Sequence, residues 1–210
     1  MKKIALLLLL FTTVSYSQKL TIVKDHIACL YGLKDKNGKW VKDPQYENVV
    51  LTSLGYYLIY HSSKVGLLDY NGNDVLPMEY NYITCSPSWQ TRYNGNFNIQ
   101  ERTYAQRAND RFTVQTFDRK SGVYDFEGVE IIPTKYSQIQ VDGSNYLLYN
   151  TVDRVTWSTY VDNRGEVLIP KVRGFIGKFE GHSTSVYRDY DPNDPSRPSV
   201  GLMNLAGKIL

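Results

Sequence analysis

Five stretches of the chain share one frame, G-x-x-[DN]-x-x-G. They are GLKDKNG from Gly32, GLLDYNG from Gly66, GVYDFEG from Gly122, TYVDNRG from Thr159 and GLMNLAG from Gly201. Successive copies begin 34, 56, 37 and 42 residues apart, a period near the mid-thirties interrupted by insertions. Self-similarity at this period commits a chain to a repeat architecture, because one such unit cannot bury its apolar face alone and must stack on the next.

The second half of the frame has a local mechanism. Asp35, Asp69, Asp125, Asp162 and Asn204 each stand three residues before Gly38, Gly72, Gly128, Gly165 and Gly207. A short Asx side chain at the first position of a turn, with glycine at the fourth, predicts a type I turn closed by a left-handed glycine, the hairpin with a G1 bulge. The opening glycine of the frame varies to Thr159, so it is expected in extended backbone, where a small residue allows close approach. On that reading Gly122→Thr should be milder than a change at Gly72 or Gly128.

Past the turn, Pro77, Pro133 and Pro170 stand five residues after the turn glycine and Pro44 six after it. Tyr46, Tyr80 and Tyr136 stand eight after it, with Arg173 breaking the pattern, and an aliphatic follows at Val49, Ile83, Ile139 and Ile176. Proline belongs at strand ends and edges. Strands such as YYLIY (56–60), RFTVQTF (111–117) and NYLLY (145–149) precede the frame. No stretch carries a 3.6-residue apolar period. The expected fold is therefore all-β: an array of about five antiparallel β-meander or hairpin repeats, with an open stack favoured and a small β-propeller as the alternative. The units fall near 20–50, 51–83, 111–140, 145–176 and 183–210, with an insertion at 84–110 and a last unit that stops before its Pro–Tyr strand. That stop is what a C-terminal truncation would leave.

At these residues the sequence resembles the WG-containing, or KWG, repeat family. The matching stretches are YGLKDKNGKWVKDPQY, VGLLDYNGNDVLPMEY, SGVYDFEGVEIIPTKY and TYVDNRGEVLIP. The namesake tryptophan is replaced by Tyr31, Val65, Ser121, Ser158 and Val200. The resemblance implies a secreted or surface-associated bacterial β-repeat protein, and it carries over no catalytic residues.

The N-terminus reads as a separate segment. Lys2 and Lys3, the apolar run Ile4 to Phe11, and Ser15 and Ser17 ahead of Gln18 form a secretory signal peptide over residues 1–17. The apolar run is shorter than the roughly 20 residues a spanning helix needs. Cleavage leaves 193 of the 210 residues as one repeat domain, 18–210, that is exported to the periplasm, the cell envelope or the medium. Removing Lys2 and Lys3 from 24 basic residues leaves 22 against 21 acidic ones. So balanced a chain offers no electrostatic footprint for nucleic acid. Cys29 and Cys85 either pair, as an oxidising compartment permits, or stand as two separate thiols.

Chemistry is thin. His26, His61 and His182 lack metal-ligand spacing, and no cofactor or metal set is expected. DYDPND begins like a calcium loop at Asp189, Asp191 and Asn193 but has Asp194 where glycine is needed and Val200 where glutamate is needed. The repeated aspartates are accounted for by turns. What departs from the repeat is the insertion and the loops at 61–64, 117–121, 150–157 and 188–199, read as joining the first two strands of successive units. These departures are expected to share one binding face, with Trp89, Tyr93, Arg102 and Tyr104 in the insertion and Trp157, Tyr187 and Tyr190 beside the loops as candidates. The function expected is a non-enzymatic binding or interaction module for a protein or glycan at the cell envelope. The alternatives are a carbohydrate-active enzyme or accessory domain on the same scaffold, and a structural segment of a larger surface protein.

Overall fold

The computed structural model describes residues 20–86, 102, 104–179, 183–191 and 194–210. The leader read at 1–17, and Gln18 after it, lie outside them. Five antiparallel sheets follow one another along the chain. The first holds β1 (Thr21–Lys24), β2 (Tyr31–Lys34) and β3 (Trp40–Tyr46). The second holds β4 (Asn48–Leu51), β5 (Tyr57–His61), β6 (Lys64–Leu68) and β7 (Asp74–Tyr80). The third holds β8 (Tyr82–Ser86), β9 (Arg111–Gln115), β10 (Ser121–Asp125) and β11 (Glu130–Tyr136), with the short helix α1 (Tyr104–Arg107) between β8 and β9. The fourth holds β12 (Gln138–Asp142), β13 (Asn145–Val152), β14 (Val155–Val161) and β15 (Val167–Arg173). The fifth holds β16 (Phe175–Ile176), β17 (Thr184–Asp191) and β18 (Asp194–Asn204), with Ile209 bridging back to Met203. The fold is all-β, and no sheet closes into a barrel.

The sheet boundaries fall earlier than the sequence frame suggests. One residue, Glu47, Asn81, Ser137 or Gly174, carries the chain from the last strand of one sheet into the first strand of the next. The N–H groups of Glu47, Asn81 and Ser137 donate to the carbonyls of Tyr60, Gln115 and Tyr149 at 2.8–2.9 Å, so these joints already belong to the following sheet. Val49, Ile83, Ile139 and Ile176 therefore open a sheet rather than close one. With no turn residue at the joint, the sequence carries no mark of the boundary. The fourth joint differs: Gly174, at φ 102°, donates back to Thr156.

The five turns are near copies. Each turn glycine lies in the left-handed region, with φ between 75° and 85°. Each Asx Oδ1 accepts two backbone N–H groups, from the residues two and four positions on, at 2.8–3.0 Å. The turn glycine donates its N–H to the Asx carbonyl in all five.

The opening glycines have another role. Gly32, Gly66 and Gly122 each face three residues of the next strand, 43–45, 77–79 and 133–135, in a bulge that holds the proline. A Cβ on Gly122 would lie 2.2 Å from Thr134 Oγ1 and 2.9 Å from the Ile132 carbonyl oxygen. Thr159 faces only two residues, 170 and 171. Its smaller bulge makes room for a side chain that Gly122 has no room for. Gly122→Thr is thus a severe change and not the mild one that the fourth copy suggests. The missing residue also shifts the register, so that Val172 rather than Arg173 pairs where Tyr46, Tyr80 and Tyr136 pair in the earlier sheets.

Sheets stack through alternate faces. Leu33 and Tyr46 of the first sheet pack on Tyr57, Ile59 and Leu68 of the second. Leu58, Val65, Leu67 and Leu76 of the second pack on Phe112 and Val114 of the third. Val123 and Ile132 of the third meet Tyr146, Leu148 and Val161 of the fourth. Leu147, Tyr160 and Ile169 of the fourth meet Ile176, Tyr187 and Met203 of the fifth. Each sheet thus has a leading face toward the sheet before it and a trailing face toward the sheet after it. Each later turn also seats on the preceding sheet. A Cβ on Gly128 would lie 2.1 Å from the Val75 carbonyl oxygen and one on Gly165 2.7 Å from that of Ile131, whereas one on Gly38 would meet nothing within 4 Å.

Cys29 and Cys85 are free thiols, the first exposed and the second buried. Burial pushes the Cys85 thiol up, away from the reactive thiolate form.

These turns generate two expected outcomes. Gly38→Ala should cost about 1–2 kcal/mol, the strain of a side chain at positive φ alone. Gly128→Ala adds a collision with backbone and should cost distinctly more, and denaturant unfolding of the two variants compares them. Asp125→Asn should be nearly neutral, since Asn204 makes the same bonds. Asp125→Ala should lose about 1–2 kcal/mol in the same assay, because two N–H groups lose their acceptor.

Candidate functional site

The meander sends alternate connections to opposite ends of the strands. From the second sheet on, the Asx turns and the connections between the first and second strands share one end, while the connections between the second and third strands lie at the other. The insertion joins β8 to β9, and Arg111 at its close pairs with Asp125, so it emerges at the turn end. The variable loops join the second and third strands, β5 to β6, β9 to β10, β13 to β14 and β17 to β18, so they emerge at the opposite end. The insertion and the loops therefore do not form the single face expected. The loops also follow the second strand of each sheet rather than the first, because each sheet borrows its first strand from what the frame assigns to the preceding unit.

The candidates separate accordingly. Trp89 and Tyr93 lie outside the described residues. Arg102 grips Asp110 with both guanidinium nitrogens, Nη1 to Oδ2 at 2.6 Å and Nη2 to Oδ1 at 2.7 Å, and Nη2 also donates to the Gln106 carbonyl. Asp110 is fully buried and also accepts from Tyr56 Oη at 3.0 Å. Arg102 is thus an internal anchor that ties the insertion to the second and third sheets. Tyr104 is 60 % exposed, donates to Glu127 Oε1 at 3.1 Å and sets its ring edge-on to Phe126. Arg107 lies 4.4 Å from the centre of the Tyr70 ring. Helix α1 therefore rests on the Asx turns of the second and third sheets. Arg111 extends the tie to the fourth by donating to the Asn163 carbonyl at 3.4 Å.

At the other end, Trp157 is half-buried under Lys171, whose Nζ stands 4.5 Å from the ring centre. Tyr187 is buried in the core between the fourth and fifth sheets and donates its O–H to the Arg173 carbonyl. It is a packing residue and offers no surface. Tyr190 lies in β17 near the loop end. Asp189 holds Arg173 Nε at 3.2 Å, and Asn193 lies outside the described residues.

A cleft of about 570 Å³ opens at the turn end between the fourth and fifth sheets. Its polar side is Asp142, Ser144, Asn145, Tyr160 and Ser183, and its rim carries Leu168 and Leu205. Asn145 Nδ2 donates to Tyr160 Oη at 3.0 Å, and Tyr160 Oη donates to Asp142 Oδ2 at 3.0 Å. The Phe179 N–H donates to the same carboxylate oxygen at 3.0 Å. Burial, together with the Asp142 carboxylate, raises the Tyr160 pKa against the opposing hydrogen bond from Asn145, so Tyr160 remains a donor at neutral pH. Asp142 is engaged by the fold. What faces the cleft is a row of hydroxyl and carboxamide groups beside two leucines, suited to hydrogen-bonding a polar ligand with an apolar edge.

The sequence reading missed this cleft. Asp142–Gly143–Ser144–Asn145 reads as an ordinary tight turn and Tyr160 as one more strand tyrosine. The available signal was a contrast: the connection between first and second strands shrinks to two residues here, next to the long insertion of the third sheet.

No family model matches the chain, and no curated protein matches it. Among solved structures, the chain is similar to one described as the crystal structure of the eukaryotic initiation factor, at 9% identity and TM-score 0.38 over 91% of this chain and 61% of that one. It is also similar to a structure of the Dos1 propeller, at 9% identity and TM-score 0.36 over 81% of this chain and 52% of that one. The chain thus spans less than two thirds of the length of either.

The Arg102–Asp110 pair is directly testable. Arg102→Ala leaves a carboxylate buried without its cation and should cost about 3–5 kcal/mol in chemical denaturation, with Arg102→Ala/Asp110→Asn recovering part of the loss.

Proposed function

We propose that the protein is an exported binding or interaction module, built on repeats that resemble WG-containing repeats, which recognises a protein or glycan at the cell envelope. It acts without catalysis. The reading is supported by one observation above all: at the turn end, where the longest departure from the repeat also emerges, a cleft between the fourth and fifth sheets presents polar groups already ordered by hydrogen bonds. A scaffold that repeats strictly elsewhere can place specificity in such departures at little structural cost. The repeated aspartates are engaged in turns, so they lend no support to acid–base chemistry.

The experiment is a binding screen of chain 18–210 against a glycan array and a panel of envelope proteins, repeated with Asn145→Ala and Ser144→Trp. A genuine ligand should bind the parent chain and lose at least about tenfold in affinity with each variant, the value of one or two hydrogen bonds or of a filled cleft. Trp157→Ala, at the opposite end of the strands, should leave binding unchanged. Reproducible hydrolysis of a glycan or peptide by the parent chain would overturn the reading, as would a ligand whose affinity depends on Trp157 and ignores the cleft.

A further inference from the structure

Two of the five turns place asparagine directly before the turn glycine, Asn37–Gly38 and Asn71–Gly72; the others have Glu127, Arg164 and Ala206 there. A third Asn–Gly, at 94–95, lies outside the described residues. An asparagine in this position can react with its own backbone, because the next residue has no Cβ to hinder approach of its nitrogen to the carboxamide. In both turns the asparagine is exposed and its N–H donates to the Asx Oδ1. In both, the glycine N–H donates to the Asx carbonyl at 3.0 Å. That bond occupies the attacking nitrogen, so the turn must open before reaction. The two sites share one chemistry and differ in what holds the turn shut.

The second turn is held from several sides. Asn73 Nδ2 donates to Asp69 Oδ2 at 2.9 Å, whereas the first turn has Lys39 at that place. Tyr70, just before Asn71, lies under Arg107 of helix α1, which stands 4.4 Å from the ring centre and donates to the Tyr70 hydroxyl at 3.3 Å. Gly72 is buried, and a Cβ there would lie 3.0 Å from the side chains of Leu20 and Val41. Gly38 is exposed, and a Cβ there would meet nothing within 4 Å. Lys36 and Lys39, both exposed, flank Asn37, and neighbouring cations favour the deprotonated amide nitrogen through which the reaction passes.

We propose that Asn37–Gly38 is a site of spontaneous backbone modification, and that the stack protects the same dipeptide at 71–72. The Gly38 nitrogen gives its proton to water or hydroxide and bonds to Asn37 Cγ. The bond from Cγ to the side-chain nitrogen breaks, and that nitrogen takes up a proton and leaves as ammonia. The product is a five-membered imide. Water then adds to one of its two carbonyls and opens the ring there. Opening at Cγ leaves aspartate on an unchanged backbone. Opening at the main-chain carbonyl leaves isoaspartate, with the chain running through Cβ and one backbone atom longer. No oxidant or reductant is needed, and either product adds a carboxylate between Lys36 and Lys39. Since Gly38 touches no neighbouring strand, the junctions between sheets survive the change. The same change at Asn71 would disturb the seat of Gly72 between the first and second sheets.

The test is incubation of chain 18–210 at mildly alkaline pH and physiological temperature. Peptides are read at intervals for the mass gain of amide-to-acid exchange, and isoaspartate is labelled by its methyltransferase. Conversion at Asn37 should run at least about tenfold faster than at Asn71, the factor that corresponds to about 1.4 kcal/mol of extra opening. In denaturant the ratio should collapse, which separates the effect of the fold from that of the flanking residues. Asn73→Ala should speed conversion at Asn71 and leave Asn37 as it was. If that variant does not fold, the comparison of folded and denatured parent chain decides. The denaturation midpoint should be unchanged once Asn37 is converted. Equal rates in the folded chain, a ratio that persists in denaturant, or a midpoint that falls with conversion at Asn37 would overturn the proposal. Ligand binding at the cleft does not enter these measurements, so the two readings are tested separately.

Discussion

The structure depends on one contact made four times: a left-handed glycine at the tip of a hairpin pressed against the bulged strand of the sheet before it. The Asx side chain fixes the tip by accepting two N–H groups, and the glycine supplies a positive φ. It also supplies the absence of a Cβ where Val75 and Ile131 present their carbonyl oxygens. The positive φ is shared by all five copies, and the seat adds a second demand at the four later ones. Gly38 satisfies the same φ with nothing beside it. The tip conformation is therefore a property of the hairpin, and the seat is a property of the stack. A single repeat cannot bury its apolar faces alone, so the apolar faces that follow each seat are what make the array stable.

A second consequence of the seat is the placement of function. Because the turns lie against the preceding sheet, the first-to-second-strand connections beside them are the natural place for elaboration. The third sheet lengthens this connection and ties it down with Arg102, Arg107 and Arg111. The fourth shortens it and leaves a cleft between Asn145 and Leu205. Two of the variable loops at the other end are tight hairpins by contrast. Ser62 and Ser63, and Asp153 and Arg154, are paired positive-φ residues that close two-residue turns. Their variation in length alters hairpin reach.

Much of this was legible in the sequence. The turn residues, the all-β class and the five units follow from the Asx–Gly spacing, since a type I turn with a left-handed glycine has few sequence solutions. The extended backbone of Gly32, Gly66 and Gly122 was also readable, but the tolerance suggested by Thr159 was not. A bulge that is one residue shorter leaves no local signal and appears only in the register of the partner strand. Sheet boundaries escaped for a related reason: Glu47, Asn81 and Ser137 are ordinary residues in extended backbone, and nothing in their chemistry announces a change of sheet. Which end of the strands a loop occupies depends on that boundary, so the candidate face was assembled from Trp157, Tyr104 and others that the fold keeps apart. Tyr187 looked like a surface aromatic because its strand borders an irregular loop, yet its register puts it on the leading face, in the core.

If every sheet relies on its neighbour through the seated turn, no sheet should unfold by itself. The direct measurement is equilibrium denaturation of chain 18–210 with fluorine-labelled tryptophan, following Trp40 in the first sheet and Trp157 in the fourth by their separate resonances. The account predicts that both native resonances vanish at one denaturant concentration, and that Gly128→Ala, in the third sheet, moves both midpoints together. Separate midpoints for Trp40 and Trp157, or a Gly128→Ala effect confined to one of them, would show that the sheets stand independently and would contradict it.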